Sequence, residues 1–204
     1  MSFNVVIPAR LKSSRLKEKV LIEIHGIPMV IHVAQRASLS GAKNIVIATD
    51  DKKIEQVASH YNFKSVMTNK NHLSGTDRCL EASDINMWAD QDIIVNVQAD
   101  EPLIDPALID LVAKNVTESE LGYVTACSEF KSYKEFINPN NVKVVLDNHS
   151  HALYFSRSSI PYSSSKDLSH NNYAFHHLGI YAYRVKTLKK FCSFSISDLE
   201  RIER

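Results

Sequence analysis

The sequence predicts an α/β fold: a mainly parallel sheet covered by helices on both sides, with a small antiparallel hairpin appended. Three observations carry this. Strand-sized apolar runs alternate with helical patterns through the first half of the chain. The run at 92–97 (DIIVNV) is apolar enough to be buried on both faces, as strands inside parallel sheets are. After Asn138 the rhythm changes to two short strand patterns around a polar turn.

The first strand is 4–7 (NVVI), followed by a polar loop, a short VLIEI segment and a helix beginning near Pro28. Asn44–Thr49 (NIVIAT) is the second strand, and residues 51–60 place Ile54, Val57 and Ala58 at helical spacing. Lys64–Met67 gives a short third strand and 92–97 the fourth. Asp105 then Pro106 supply an N-cap and a proline at the first helical position, opening a helix to about Val116. Residues 142–146 and 151–156 flank Asp147-Asn148-His149-Ser150 and read as an antiparallel hairpin. A serine- and asparagine-rich loop covers 161–172. In Ala174–Arg184 a period of two puts Phe175, His177, Gly179, Tyr181 and Tyr183 on one face. Ser197 and Glu200 form a capping box opening a last helix, which looks cut off within two turns.

A chain of 204 residues with 44% hydrophobic content buries a full core in one domain, 1–204, with residues 138–172 as its appendage. Basic and acidic residues nearly balance, 24 against 23, so no nucleic acid partner is expected and any anion site must be a local cluster. The apolar runs are strand-sized, which excludes a membrane span. The opening Met1-Ser2-Phe3-Asn4 runs straight into a strand without a secretory leader, so a cytoplasmic protein is expected. Cys79, Cys127 and Cys192 are odd in number and far apart, fitting neither a disulfide framework nor a zinc site. They read as reduced, buried thiols.

The loop after the first strand is the most informative segment. Between Pro8 and Lys19 it holds Arg10, Lys12, Arg15, Lys17 and Lys19, with Ser13 and Ser14 among them. It leaves the carboxyl end of a strand, where open α/β sheets place their ligands, and its cations and exposed amides suit phosphate oxygens. Most charge runs are only solvated loops, but this one's position favours phosphate binding. Neither G-x-G-x-x-G nor G-x-x-x-x-G-K-[ST] occurs, so a dehydrogenase or P-loop reading lacks its main support. At the end of the fourth strand, Asp100 and Glu101 stand adjacent in VNVQADEP. Magnesium is held by one or two carboxylates plus substrate phosphates, so Asp100 serves as a metal anchor, whereas Glu101 reads as part of a polar turn.

The opening IPARLKSSRLKEKVL resembles the IPARxxSTRLPxKxL signature of the sugar-activating cytidylyltransferases. The blocks HLSGTDR, NVQADEP, NPNNVKVVLD with ALYFSRSSIP, and HHLGIYAYR resemble its 3-deoxy-manno-octulosonate (KDO) branch, over essentially the whole chain and in order. The resemblance implies a three-layer, Rossmann-like nucleotidyltransferase fold. It implies that CMP passes from CTP to KDO with Mg²⁺ and pyrophosphate release, for lipopolysaccharide synthesis. It also implies a homodimer joined through the hairpin region, where Leu153, Tyr154 and Phe155 offer apolar surface. The resemblance places Pro8 and Ala9 in the nucleotide site, matches Arg10, Arg15 and Lys19 to the positions that hold the CTP phosphates, and matches Ser74, Gly75 and Arg78 to the loop that helps enclose the nucleotide. Asp100 matches a magnesium aspartate. Gln98, Arg157, His177 and Tyr181 match contacts to the acidic sugar. Arg10, Lys19 and Asp100 carry the catalytic role, which is positioning and charge neutralisation without a covalent protein intermediate.

Three departures accompany the resemblance. Lys17 stands where the family has proline, and Ala99 where it has glycine. The family continues past LERIER to a Leu-Glu-Gln step and a Gly-Val-Asp-Thr motif carrying a second magnesium aspartate, neither of which occurs here. That third departure implies slow or absent turnover with CTP binding kept. Rival readings are a cytidylyltransferase for sialic acid or amino-KDO, and an inactive nucleotide-binding or dimerising protein.

Overall fold

The computed structural model describes residues 2–11, 16–162 and 174–203. In chain order the elements are β1 (Asn4–Ala9), β2 (Glu23–Ile24), β3 (Ile27–Pro28), α1 (Met29–Ala37), β4 (Asn44–Thr49), α2 (Lys52–His60), β5 (Lys64–Met67) and α3 (Gly75–Ile85). They continue with β6 (Ile93–Asn96), α4 (Pro106–Glu118), β7 (Tyr123–Ser128), α5 (Tyr133–Ile137), β8 (Lys143–Leu146), β9 (Ala152–Ser156), β10 (Ala174–Arg184), α6 (Val185–Cys192) and α7 (Asp198–Ile202). The chain divides into two compact units, Met1–Val124 with Ile180–Phe194, and Thr125–Gly179 with Ser195–Arg204. The second is larger than a hairpin over 138–172, because it takes in the chain from Thr125 and the final helix.

In the first unit β5, β4, β1 and β6 run parallel in that order, and the end of β10 adds antiparallel to β6 with Tyr181 opposite Asn96. Alternation along β1 sends Val6 to one face and Val5 and Ile7 to the other, and all three are fully buried. Val6 joins Val46, Ala48 and Ile94 under Cys79 and Ala82 of α3 and Leu188 of α6. Helices α1 and α4 pack against the sheet as well, contributing fully buried Val30, Ile31, Ile109 and Ala113. Each of these valine and isoleucine side chains contributes about 1.5–3 kcal/mol on burial. The expected cap forms, Asp105 accepting from the Ala107 amide at 3.0 Å with Pro106 at the first helical position, and Asp51 likewise caps α2 by accepting from the Lys53 amide at 2.8 Å. Among the described residues no helix is long and apolar enough to cross a membrane.

The second unit is built on β8 and β9, paired antiparallel as the sequence predicts, with the first half of β10 on the other side of β8. Phe130 and Phe136 form its small aromatic core with Ala174, and Tyr133 packs against them. Ser197 caps α7 by accepting from the Glu200 amide at 3.1 Å. The loop 161–172 lies beyond the described residues except for Pro161 and Tyr162.

All three cysteines are free, but only Cys79 is buried; Cys192 is half-buried and Cys127 exposed. The expectation of three buried thiols fails at Cys127 because it sits where β7 runs out into solvent.

Candidate active site

Strand order fixes where ligands go. From β1 the chain steps to β4 and β5 on one side, and β6 lies on the other, so the crevice beyond the carboxyl ends of β1 and β6 is a topological switch point. Pro8 and Ala9 end β1 there, half-buried and fully buried respectively, and Arg10 emerges exposed. Residues 12–15 lie outside the described residues, and the expected phosphate contact Arg15 with them. Glu18 takes a left-handed backbone (φ 52°), costly for a residue with a Cβ, and its carboxylate accepts from Lys53 Nζ at 3.0 Å. The chain then turns through a short 3₁₀ helix, Lys19–Leu21, which aims Lys19 back at the sheet.

Lys19 Nζ donates to Asp100 Oδ2 at 2.6 Å. Their side chains are 37% and 42% exposed, so water screens the pair, worth roughly 0–1 kcal/mol, and it opens cheaply for a competing ligand. The turn carrying Asp100 is tight: the Glu101 amide donates to the Gln98 carbonyl at 3.2 Å, and Gln98 Nε2 donates to Asn96 Oδ1 at 3.3 Å. Ala99 is buried, so its methyl is taken into the packing. Burial, then the Asp100 charge, raise the Glu101 pKa.

The SGTDR segment is the first turn of α3 rather than a loop. Ser74 Oγ accepts from the Asp77 amide while Asp77 accepts from Ser74, a complete capping box. Gly75 faces Pro8 so closely that a Cβ there would lie 3.1 Å from the proline Cγ. Two predicted nucleotide contacts are thereby brought together, with α3's amide-rich first turn against the end of β1, an arrangement suited to phosphate. Arg78 behaves differently. It is 3% exposed and donates to Thr68 Oγ1 and, at 3.0 Å, to Asp50 Oδ2. That guanidinium holds strand ends together instead of reaching into the crevice.

In the second unit Arg157 lies just past β9, its Nη1 donating to the Pro139 carbonyl at 3.1 Å. His177 shares a 2.8 Å hydrogen bond with Thr125 Oγ1 and meets the edge of Phe155 at a centroid distance of 4.8 Å. Burial, then His176, push its pKa down to about 4, so its ring is neutral at ordinary pH. Tyr181 belongs to the first unit, beside Tyr123. Within β10, between His177 and Tyr181, Gly179 adopts φ 66°, a left-handed step in an otherwise extended strand. Counting by twos therefore does not carry a shared face across it.

Among the described residues no three His, Cys, Asp or Glu side chains cluster as a protein-only metal cage. Asp100 fits a different role: its carboxylate already carries a cation, the Lys19 ammonium. One exposed carboxylate beside a cation-bearing loop is the kind of donor set magnesium uses with substrate oxygens.

Comparison with known proteins fits this geometry. The Cytidylyltransferase family profile matches residues 4–204. The 3-deoxy-manno-octulosonate cytidylyltransferase of Neisseria meningitidis serogroup C (strain 053442) is 44% identical over 207 residues, covering 98% of this chain and 82% of that one. That of Ruthia magnifica is 41% identical over 205 residues, covering 100% and 84%. The chain belongs to the 3-deoxy-manno-octulosonate cytidylyltransferase family. A solved CMP:2-keto-3-deoxy-manno-octonic acid synthetase complexed with CTP superposes with a TM-score of 0.88 at 37% identity, covering 99% of this chain and 81% of that one. A cytidylyltransferase from Leptospira borgpetersenii, at 19% identity and a TM-score of 0.61 over 98% and 67% of the chains, shares the fold.

Several supporting residues of this cytidylyltransferase escape sequence reasoning. Asp50 and Thr68 hold Arg78. Glu81 accepts from the Asn69 amide at 2.7 Å and bonds His72, tying the segment before Ser74 to α3. Ser74-x-x-Asp77 was a readable signal for α3, since it is a capping-box spacing; Asp50 and Glu81 have no comparable local signature.

Proposed function

We propose that this chain transfers CMP from CTP to 3-deoxy-manno-octulosonate, releasing pyrophosphate, as a cytoplasmic step toward lipopolysaccharide. The observation that carries the proposal is the Lys19–Asp100 pair at the switch point, with the first turn of α3 packed on Pro8 at the end of β1. A cation and a carboxylate in contact there match the opposite charges of a metal–triphosphate complex.

On CTP binding, Lys19 exchanges Asp100 for phosphate oxygens, and Arg10 adds a second cation from the exposed edge. Pro8 and the first turn of α3 bound the nucleotide, with Ser74 and Gly75 in contact range. Arg78 acts by holding that turn in place. Asp100, released from Lys19, would hold Mg²⁺, which would supply charge neutralisation on the triphosphate. Gln98, Arg157, His177 and Tyr181 receive the sugar. His177 is neutral, so Arg157 is the charged partner for the sugar carboxylate, and His177 and Tyr181 supply hydrogen bonds. The anomeric hydroxyl then attacks the α-phosphorus in line, with Lys19 and Arg10 offsetting charge on the departing pyrophosphate. Leu153 and Tyr154 stand exposed on β9, and we propose that a second copy covers them in a homodimer.

Magnesium-dependent pyrophosphate release from CTP, with KDO, amino-KDO and sialic acid compared, tests the reaction and the sugar. Release with sialic acid or amino-KDO but not with KDO overturns the sugar assignment, absence of CTP binding overturns the reaction, and light scattering showing a monomer at micromolar concentration overturns the dimer.

A further inference from the structure

Lys143 is fully buried, and nothing in the proposed chemistry uses it. Its ammonium donates to three main-chain carbonyls, Asn138 at 2.9 Å, Asn141 at 2.8 Å and Arg157 at 2.6 Å. A lysine has three N–H donors, so its hydrogen-bonding capacity is filled. Burying an ammonium is costly, and an apolar residue on this strand beside buried Val144 would pack without that cost. The geometry shows what the ammonium achieves. It clasps the 138–141 turn from one side while Arg157 Nη1 holds the Pro139 carbonyl from the other. The Arg157 main chain is fixed at both ends: Lys143 donates to its carbonyl, and its amide donates to Glu203 Oε2 at 3.0 Å. Glu203 also accepts from Ser156 Oγ at 2.6 Å and Tyr154 Oη at 3.2 Å, which anchors the end of α7 to β9. Lys143, Arg157 and Glu203 together are two cations and one carboxylate, leaving one positive charge for an anion to neutralise.

We infer that Lys143 is a positioning residue for the acidic sugar: its ammonium locks the Arg157 main chain and the 138–141 turn so that the guanidinium meets the sugar carboxylate. The inference rests on the role of Arg157 in the proposed function. Lys143 touches no substrate and acts through Arg157.

Pyrophosphate-release kinetics on Lys143→Met, Lys143→Gln and Arg157→Ala, varying CTP and KDO in turn, test it. Both Lys143 variants are expected to raise the KM for KDO roughly tenfold, the loss of one charge-assisted contact. The CTP KM and kcat stay within about twofold, a split that a general loss of folding would not produce. If Arg157→Ala raises the KDO KM and neither Lys143 variant does, the positioning role is overturned and the function stands. A KDO KM unmoved by Arg157→Ala removes Arg157 from the sugar site, and Lys143 with it. Should the Lys143 variants not fold, amide exchange on the CTP-loaded, magnesium-free wild-type protein decides. KDO is expected to slow exchange in residues 138–143 and 156–158, and no slowing there overturns the proposal.

Discussion

The Lys19 ammonium lies 2.6 Å from an Asp100 carboxylate oxygen, joining the loop after β1 to the turn after β6 across 81 residues of sequence. Both partners are solvent-accessible, so the pair stabilises the fold little and is free to exchange partners. Lys19→Ala and Arg10→Ala are each expected to weaken CTP binding roughly tenfold, with more added by raised salt. Asp100→Asn should leave folding intact while raising the magnesium concentration needed for half-maximal pyrophosphate release. Calorimetric CTP titrations and a magnesium titration of the rate check this; unchanged affinity in both cation variants rejects the phosphate-loop assignment.

Gly75→Ala separates folding from binding. Gly75 is the first helical residue, where alanine gains less than the ~1 kcal/mol of a helix interior, so stability should roughly hold. The new methyl, however, meets Pro8 Cγ at 3.1 Å, and the proline ring ending β1 has little room to yield. The first turn of α3 must shift from β1, and CTP affinity should fall while the melting temperature does not. Equal losses in both would mean that Gly75 serves folding alone.

Arg78 gives the opposite split. Its guanidinium is buried against Asp50 and Thr68, so Arg78→Ala strands a largely buried carboxylate and should cost about 3–5 kcal/mol of stability in urea unfolding. CTP affinity then falls only as far as the turn of α3 loosens. Full stability with abolished CTP binding would instead make Arg78 a direct nucleotide contact.

Periodicity made the sheet legible: the largely buried β1, β4 and β6 read as apolar runs, and Asp105 with Pro106 announced α4 in the residue types of its cap. The helix α3 was harder, because buried Arg78 breaks its apolar face. In the site, cation-rich loop and carboxylate turn were visible as local clusters, but their contact was not, since it depends on β1 and β6 being neighbours. The partners of Arg78 were not legible either, since Asp50 and Thr68 are distant in sequence from the motif that carries it. The Gly179 reversal is likewise invisible to a count of alternating residues.

His177 carries a pH signature that tests its neutral role. Burial, followed by the nearby His176, lowers its folded pKa to about 4, below the ordinary histidine value of 6.5. Between those limits the unfolded chain binds a proton that the folded protein refuses, so stability rises with pH across this window. The contribution is complete above about pH 6.5 and is lost progressively as the pH falls toward 4. His177→Asn removes the titrating group, so its melting temperature should fall less than the wild-type value between pH 7 and pH 5. An NMR titration of the ring protons should place the wild-type midpoint near pH 4. The same neutrality bears on catalysis: a neutral ring hydrogen-bonded to Thr125 Oγ1 offers the sugar no charge. Raising the pH from 6 to 8 should therefore leave the KM for KDO unaffected by this residue. A midpoint at or above 6.5 would make His177 a second cation for the sugar carboxylate and remove the argument that Arg157 alone supplies that charge.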